Sequence, residues 1–360
     1  MLPLYAGFTL LILFFLALDL GVFNRKAHVI STKEALRWTV LWVSTSLVFT
    51  VVVYLIYQNG WFNIQSPLYD GIGDGRRAAI DYLTGYILEY SLSLDNVFVI
   101  ALIFGYFNVP EISQHRTLFW GILGALIFRG LMIAVGATLI HRFEWIMYVF
   151  GALLLFSAYK MMKSGSEKLD PEHNPLVRLA RKHFPVTSYY EGSRFFTHLE
   201  DGRLAMTPLF LVLLVIETTD VMFAVDSIPA IFSITKDPFI VFTSNVFAIL
   251  GLRSLYFVLA GAIRRFHHIK TALIFILVYI GLKMMLFQTP FKPSTEMSLF
   301  VIVALLTTGV VASVVRPPKP EEPPVELVHE GHHEATVLGS DPGAGAEHPA
   351  SAGPPTEDKG

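Results

Sequence analysis

Successive apolar runs, each about 20 residues long, dominate this 360-residue chain and restrict the folds that it can adopt. A helical run of that length spans a hydrocarbon core of about 30 Å. A spanning segment must satisfy its backbone hydrogen bonds internally, which a helix does by itself. The sequence therefore predicts an all-α fold, a polytopic membrane helix bundle.

We predict about nine transmembrane helices. The predicted spans are residues 4–23, 37–57, 79–107, 117–140, 143–162, 205–233, 239–263, 271–288 and 297–315. We expect the first to be retained and not cleaved as a signal peptide, because its basic residues follow the apolar run. Lys and Arg outside the spans lie mostly in the odd-numbered connections and the C-terminal tail. This asymmetry predicts an outer N-terminus and a cytoplasmic C-terminus.

Charged residues interrupt these apolar spans. The acidic ones are Glu89, Asp95, Glu217, Asp220 and Asp226, and the basic ones are Arg129, Lys160, Arg253 and Lys283. A charge at the bilayer centre costs about 2.5–3.5 kcal/mol on insertion scales. Such residues face a cavity, a partner charge or an ion, and structural ion pairs are the simpler alternative. Asp19, near the inner edge of the first span, either joins them or sits at the interface.

The charged residues recur in the same order in two parts of the chain. The matched pairs are Glu89 with Asp220, Asp95 with Asp226, Asn96 with Ser227, Arg129 with Arg253, and Lys160 with Lys283. Each unit contains three predicted helices, an odd number, so the second unit is inverted relative to the first. An inverted three-helix repeat places a transport site near the midplane, where the two units meet.

This repeat divides the chain into six parts. They are two N-terminal transmembrane helices (1–78), the first three-helix repeat (79–162), a cytoplasmic connecting loop (163–204), the second three-helix repeat (205–290), the last transmembrane helix (291–316) and a cytoplasmic tail (317–360). The tail is rich in Pro, Glu, Gly and Ala, a composition typical of disorder. Its His329, His332 and His333 either bind a divalent metal weakly or are simply solvated.

The connecting loop carries two local patterns. Residues 175–184 predict a short basic amphipathic helix on the membrane surface. Residues 195–207 predict a β-hairpin that turns at Asp201-Gly202. A solvated linker is the alternative for both.

Helical spacing separates the carboxylates of the second acidic span. Glu217 and Asp220 share a face, whereas Asp226 lies about 120° around the helix from Asp220. Pro229 lacks an N–H and clashes with the carbonyl of Val225, which predicts a kink or a break. A carbonyl freed in this way is itself a hard oxygen ligand, and broken helices line ion sites in transporters.

The candidate ligands all carry oxygen. We predict that Glu89, Asp95, Asp220 and Asp226 hold the metal, with Asn96, Glu217, Ser227 and Asn245 beside them. The chain has no cysteine, and its twelve histidines lie outside the predicted spans. Hard oxygen ligands suit Mn²⁺, Ca²⁺ and Mg²⁺ and disfavour copper or a thiolate zinc site. We expect no tightly bound cofactor, the metal being a substrate.

The basic residues of the spans are predicted charge partners. Arg129 and Arg253 either hold the carboxylates in place when the ion is absent or form permanent salt bridges. Lys160 either joins the cluster or extends to the membrane interface. Lys283 is its counterpart in the second repeat.

Three long motifs resemble a known family. They are EYSLSLDN from Glu89, the segments IETTDVMFAVDSIPAIF and TSNVFAILGLRSLY within residues 216–256, and DLGVFNRK from Asp19. Together they resemble the TerC/Alx family of integral membrane proteins, over roughly residues 1–316. The resemblance implies a bacterial inner-membrane location, manganese export under metal or alkaline stress, and an older association with tellurite resistance. The family is distantly similar to LysE-type exporters.

We interpret the chain as a membrane transporter that exports a divalent cation, Mn²⁺, coupled to proton exchange. Carboxylates in a low dielectric hold protons until a cation replaces them. The alternatives are a Ca²⁺/H⁺ exchanger, or an assembly factor that hands metal to secreted enzymes and docks a protein partner through loop 163–204. The expected partners are the cation, protons and the lipid bilayer, with no nucleic acid.

We do not expect an enzyme, because the spans contain no nucleophile, histidine-based triad or phosphate loop. Tellurite detoxification is a reduction, and the chain has no thiol to perform it. A role in tellurium resistance is therefore expected to be indirect.

Overall fold

The computed structural model describes residues 2–18, 31–63, 73–163, 174–199, 202–260 and 267–315. The α-helices in these residues are α1 (Leu2–Leu18), α2 (Thr32–Gln58), α3 (Gly75–Tyr106), α4 (Glu111–Arg142), α5 (Ile146–Lys163), α6 (Pro175–His183), α7 (Pro208–Phe232), α8 (Pro238–Ala260), α9 (His267–Met285) and α10 (Thr295–Val315). One antiparallel hairpin pairs β1 (Phe196–His198) with β2 (Leu204–Met206), and a 3₁₀ turn spans Trp61–Asn63.

Eight helices in the described part of the chain are long and apolar enough to cross a membrane. α1 is apolar but shorter, with 17 residues. The predicted polytopic helical bundle is confirmed, and one helix corresponds to each predicted span. α2 and α4 begin earlier than predicted, because they include residues 32–36 and 111–116, whose polar side chains led the prediction to assign them to connections.

Polar caps fix where several helices begin. The side chains of Ser31, Asn174 and Asp237 each accept a hydrogen bond from a backbone N–H two or three residues further on, at 3.3, 2.9 and 2.9 Å. An N-cap acceptor satisfies one of the N–H groups that the first turn leaves unpaired. Proline follows at the first position of α6 and α8, where its missing N–H costs nothing.

α8 forms the centre of the bundle. In its most apolar 18-residue window, 94% of the residues are buried, against 22% for α10. α8 contains polar residues, among them Asn245 and Arg253, which are costly to expose to lipid, whereas the more apolar α10 leaves most of its surface for lipid. α8 packs against α2, α3 and α4.

Several of the helix contacts have a counterpart under the predicted repeat. α3, α4 and α5 correspond to α7, α8 and α9 under the sequence match. α3 packs against α8 and, in the corresponding contact, α7 packs against α4; α5 packs against α9, and α3 against α7. Exchanging the two units leaves this set of contacts unchanged, as expected for two units related by a pseudo-two-fold axis.

α5 and α9 approach closely through two glycines. A Cβ added at Gly151 would lie 3.1 Å from the Gly281 carbonyl oxygen, and one added at Gly281 would lie 3.2 Å from the Gly151 carbonyl oxygen. Small residues allow this backbone contact between membrane helices.

α7 continues through Pro229 and ends at Phe232. Of the two outcomes predicted at Pro229, a kink or a break, the break is therefore wrong. The proline lies so near the end of the helix that few backbone bonds depend on it, and Ser233 N–H closes the last turn on the Pro229 carbonyl at 3.2 Å.

The connecting loop contains both predicted elements. α6 confirms the short helix, and the pairing of Phe196 with Met206 confirms the hairpin. Gly202 adopts φ +79° in the turn, a conformation that favours glycine.

Candidate ion site

Arg129, near the middle of α4, lies at the centre of a buried charged network. Its side chain is 2% exposed and pairs with Glu89 on α3. It also binds Asp220 on α7 through two hydrogen bonds, 3.0 Å from Nη2 to Oδ1 and 3.2 Å from Nε to Oδ2. Two-pronged contact of this kind is the strongest pairing that a guanidinium makes with a carboxylate. Arg129 therefore joins carboxylates from both predicted repeats.

Two neutral oxygens complete the surroundings of Arg129. Nη1 lies 3.2 Å from Asn245 Oδ1 on α8 and 3.3 Å from Ser227 Oγ on α7. Three helices, α3, α7 and α8, thus direct oxygen atoms at one guanidinium on α4. The positive group occupies the kind of position, surrounded by oxygens, that a metal cation also prefers.

A small space beside this network, which we call the carboxylate cavity, has a volume of about 20 Å³. That is room for one water molecule. Its polar lining residues are Glu89, Asp95, Asn96, Arg129, Asp226 and Ser227. Asp226 also accepts a hydrogen bond from Ser157 Oγ on α5, at 2.6 Å. Three acidic residues, Glu89, Asp95 and Asp226, therefore border one small space, an arrangement that suits a hard cation.

A second space of about 20 Å³, which we call the arginine cavity, lies next to the first. Its polar lining residues are Asn96, Thr219, Asp220 and Arg253. Asn96 and Phe223 line both cavities and therefore lie between them. Arg253, the predicted counterpart of Arg129, borders the arginine cavity and is absent from the lining of the carboxylate cavity.

Several buried oxygens near the network have no hydrogen-bond partner among the described residues. They are Glu89 Oε2, Ser93 Oγ and Glu217 Oε2. A buried acceptor without a partner is costly. A desolvated cation would relieve that cost, so these atoms are candidate ligands.

Glu217 lies against α4 where that helix lacks a side chain. A Cβ added at Gly124 would lie 2.0 Å from Glu217 Oε1. Gly124 therefore creates the space that the Glu217 carboxylate occupies, one helical turn from Asp220 on the same face of α7.

We expect Gly124→Ala to displace the Glu217 carboxylate and to be less stable than Gly130→Ala by about 1 kcal/mol, the lower end of the usual effect of overpacking, because the displaced carboxylate is the flexible end of its side chain. Thermal unfolding of the purified variant measures this loss. The matched control is Gly130→Ala on the same helix, where the nearest atom to an added Cβ, on Phe242, is 3.4 Å away. Equal melting temperatures for the two variants would contradict the proposed contact.

The predicted metal ligands do not form one compact set of four. Within the described residues, no group of three or more His, Cys, Asp or Glu side chains is close enough to hold a metal ion. Asp220 lines the arginine cavity and binds Arg129, whereas Glu89, Asp95 and Asp226 line the carboxylate cavity. Two of the four predicted ligands, Glu89 and Asp220, instead form ion pairs with Arg129.

The two lysines differ in position. Lys160 is exposed near the end of α5, close enough to Asp226 for their charges to attract. Lys283 is buried on α9 and donates a hydrogen bond to Ser298 Oγ at 2.7 Å. It lines a different cavity and is not part of the network around Arg129.

Sequence reasoning did not identify Ser157 or Gly124 as site residues. Ser157 lies three residues before Lys160, and this helical spacing indicated that it would share a face with the lysine. A single glycine in a membrane helix carries no comparable signal. Asp19 and the three tail histidines lie outside the described residues.

Comparison with known proteins identifies the same family as the sequence motifs. Residues 74–320 match the model of the integral membrane protein TerC family. The chain is 46% identical over 313 residues to "Uncharacterized membrane protein STKORF319" of Myxococcus xanthus, covering 87% of this chain and 92% of that protein. It is 44% identical over 284 residues to "Putative membrane-bound redox modulator Alx" of Escherichia coli (strain K12), covering 79% and 85%.

No solved structure gives a significant match to the chain. The family match covers more than half of the chain, and both relatives align over most of their length. The chain belongs to the TerC family of integral membrane proteins.

Proposed function

We propose that this protein exports a divalent metal cation, Mn²⁺, across the bacterial inner membrane in exchange for protons. One observation carries the proposal: acidic residues from both repeats meet around Arg129, beside two water-sized cavities. Buried charges in membrane helices mark ion pathways by default. The oxygen-only ligand set favours a hard cation.

Arg129 acts as an internal substitute for the transported ion. It balances Glu89 and Asp220 when no metal is bound, so that two buried carboxylates are never left without a positive charge. A cation that enters the carboxylate cavity competes with the guanidinium for Glu89. Arg129 would then shift towards Asp220 and the arginine cavity.

Proton exchange follows from the same ligands. A metal binds the deprotonated carboxylate, so its arrival releases any proton held there. Asp95 and Asp226 are the proton carriers in this proposal, because both line the carboxylate cavity.

Flux measurements in liposomes test the proposal. Purified protein reconstituted under a set pH gradient should move Mn²⁺ and dissipate the gradient, and Ca²⁺ and Mg²⁺ should compete weakly. Strong Ca²⁺ flux with little Mn²⁺ flux would favour a Ca²⁺/H⁺ exchanger. Absence of flux for all three cations would contradict a transporter.

We also propose that the N-terminus lies outside and that loop 163–204 lies in the cytoplasm, as the distribution of Lys and Arg suggests. The chain has no cysteine, so a cysteine introduced at Glu191 gives a single label site. A membrane-impermeant maleimide should reach it only after the membrane is opened. Labelling in intact cells would show that the loop lies outside the cytoplasm, the opposite of the proposed orientation.

A second candidate function is supported by the connecting loop. α6 and the hairpin expose large apolar side chains, namely Leu176, Leu179, Phe184, Phe196 and Leu204. Such residues can contact a protein partner or lipid. An assembly factor that supplies metal to secreted enzymes would use this surface. Deletion of the loop should leave ion flux intact in a pure transporter and abolish cellular activity in a docking protein.

The Escherichia coli relative is named a putative membrane-bound redox modulator. Thiol redox chemistry needs a cysteine, and this chain has none. We propose that any effect of this protein on redox state or tellurium resistance is an indirect result of metal export.

A further inference from the structure

A third cavity, which we call the end cavity, lies where α3 and α10 begin and α7 ends. It is therefore at the opposite end of α7 from the hairpin, which is the predicted outer end. Its volume is about 720 Å³. That volume is within the range of sites that bind small molecules.

Basic residues outnumber acidic ones around the end cavity. The basic lining residues are Arg76, Arg77, Lys236, Lys283 and Lys292, and the acidic ones are Asp74, Asp81 and Glu296. If every acidic group were paired with a basic one, two positive charges would remain. This excess is unexpected at the predicted outer end of the bundle, where basic residues are otherwise few.

Two of these lysines are held close to one aromatic ring. Lys236 Nζ lies 4.2 Å and Lys292 Nζ lies 4.5 Å from the centre of the Phe287 ring. Burial lowers the pKa of Lys292, and the nearby positive charges of Lys236 and Arg77 lower it further, against the opposing effect of Asp81. Phe287 thus holds two like charges near each other. Glu144 Oε1, 4.0 Å from Lys236 Nζ, offsets part of this charge, and an anion in the cavity would offset more of it.

A third lysine reaches the cavity from inside the bundle. Lys283 is 2% exposed, and its ammonium donates to Ser298 Oγ at 2.7 Å. Burying an ammonium in a membrane helix is costly unless a counter-charge or cavity compensates. Asp81 supplies part of this compensation, since it attracts Lys283 electrostatically.

Helix ends add to the positive potential. Gly73 and Asp74 precede α3, and Ser294 precedes α10, and these residues line the cavity. The N-terminus of a helix carries about half a positive charge and presents N–H groups that favour anions. In α10 one of these, Met297 N–H, already donates to Ser294 Oγ at 3.2 Å. The C-terminus of α7 also borders the cavity and opposes this effect in part.

We propose that the end cavity binds a phosphate-bearing anion, with Lys236, Lys283 and Lys292 as its main charge partners. Ammonium groups and helix N-termini are common phosphate ligands. The phosphate belongs either to a lipid headgroup or to a soluble anion. This site is separate from the carboxylate cavity, so its test measures binding and not ion flux.

The test uses the full-length protein in uncharged detergent, with pyrophosphate as the soluble probe. Pyrophosphate should raise the melting temperature in a saturable way, relative to sodium chloride at equal ionic strength. The double variant Lys236→Gln/Lys292→Gln should weaken the apparent affinity by about tenfold or more, the effect of losing charged hydrogen bonds. Lys33→Gln/Lys182→Gln is the matched control, because both residues are exposed and outside the cavity.

A second arm distinguishes the source of the phosphate. Native mass spectrometry after reconstitution with phosphatidylglycerol should show retained lipid on the wild type and less on the cavity variant if the ligand is a headgroup. If the double variant Lys236→Gln/Lys292→Gln does not fold, Arg76→Gln takes its place, because Arg76 lines the cavity and is exposed. Binding of neither probe, or equal binding by the cavity and control variants, would overturn the proposal.

Discussion

Arg129→Met should destabilise the folded protein by about 3–5 kcal/mol, the cost of removing one partner from a buried ion pair. The reason is that Glu89 and Asp220 would remain buried, 1% and 11% exposed, without their shared positive charge. The melting temperature and the yield of monodisperse protein in detergent measure this effect. It is the largest loss of stability that we expect from any single substitution in the network.

Two further variants distinguish the loss of this ion pair from a general sensitivity of α4 to substitution. Arg142→Met, at the exposed end of the same helix, should leave the melting temperature nearly unchanged. Adding Glu89→Gln and Asp220→Asn to Arg129→Met should recover much of the lost stability, because the buried negative charges are then removed as well. Failure of the combined variant to recover stability would show that Arg129 acts through packing.

Asp226→Asn should abolish most Mn²⁺ flux while the protein stays folded. The substitution removes the charge but keeps the size of the side chain and an oxygen able to accept from Ser157. Loss of an outer-shell partner costs about 10–100-fold in metal affinity, so loss of a ligand should cost at least that much. Flux in liposomes at equal protein loading measures the change.

The matched control for this variant is Glu144→Gln, which removes a carboxylate from an exposed position between α4 and α5. It should retain wild-type flux. Wild-type flux in Asp226→Asn would remove Asp226 from the transport mechanism. Loss of flux together with loss of folding would assign Asp226 a structural role, and the melting temperature distinguishes these outcomes.

The sequence predicted the helices and the residues of the network well, because both depend on local pattern. An apolar run of sufficient length forms a membrane helix in almost any context, and a charge within it must face the interior. The presence of Glu89, Arg129 and Asp220 in one buried network was therefore expected. The positive φ of Gly202 likewise agrees with the predicted turn, because glycine adopts that conformation readily.

Which acidic residue pairs with which basic residue could not be predicted, because the pairing depends on how the helices pack. The sequence repeat makes Arg129 and Arg253 equivalent, yet Arg129 binds two of the acids while Arg253 lines a separate cavity. Lys283 also appeared to be a partner for the carboxylates, but its position on α9 directs it to Ser298 and the end cavity. Similar sequences in the two repeats thus have different surroundings.

The proposed Mn²⁺ site is tested most directly by locating the ion in an experimental structure, by anomalous scattering from crystals grown with Mn²⁺. We expect a peak in the carboxylate cavity, within bonding distance of Asp95 and Asp226 side-chain oxygens, with Arg129 moved away from Glu89. A well-ordered structure with Mn²⁺ bound elsewhere, and Arg129 still paired with both Glu89 and Asp220, would contradict it.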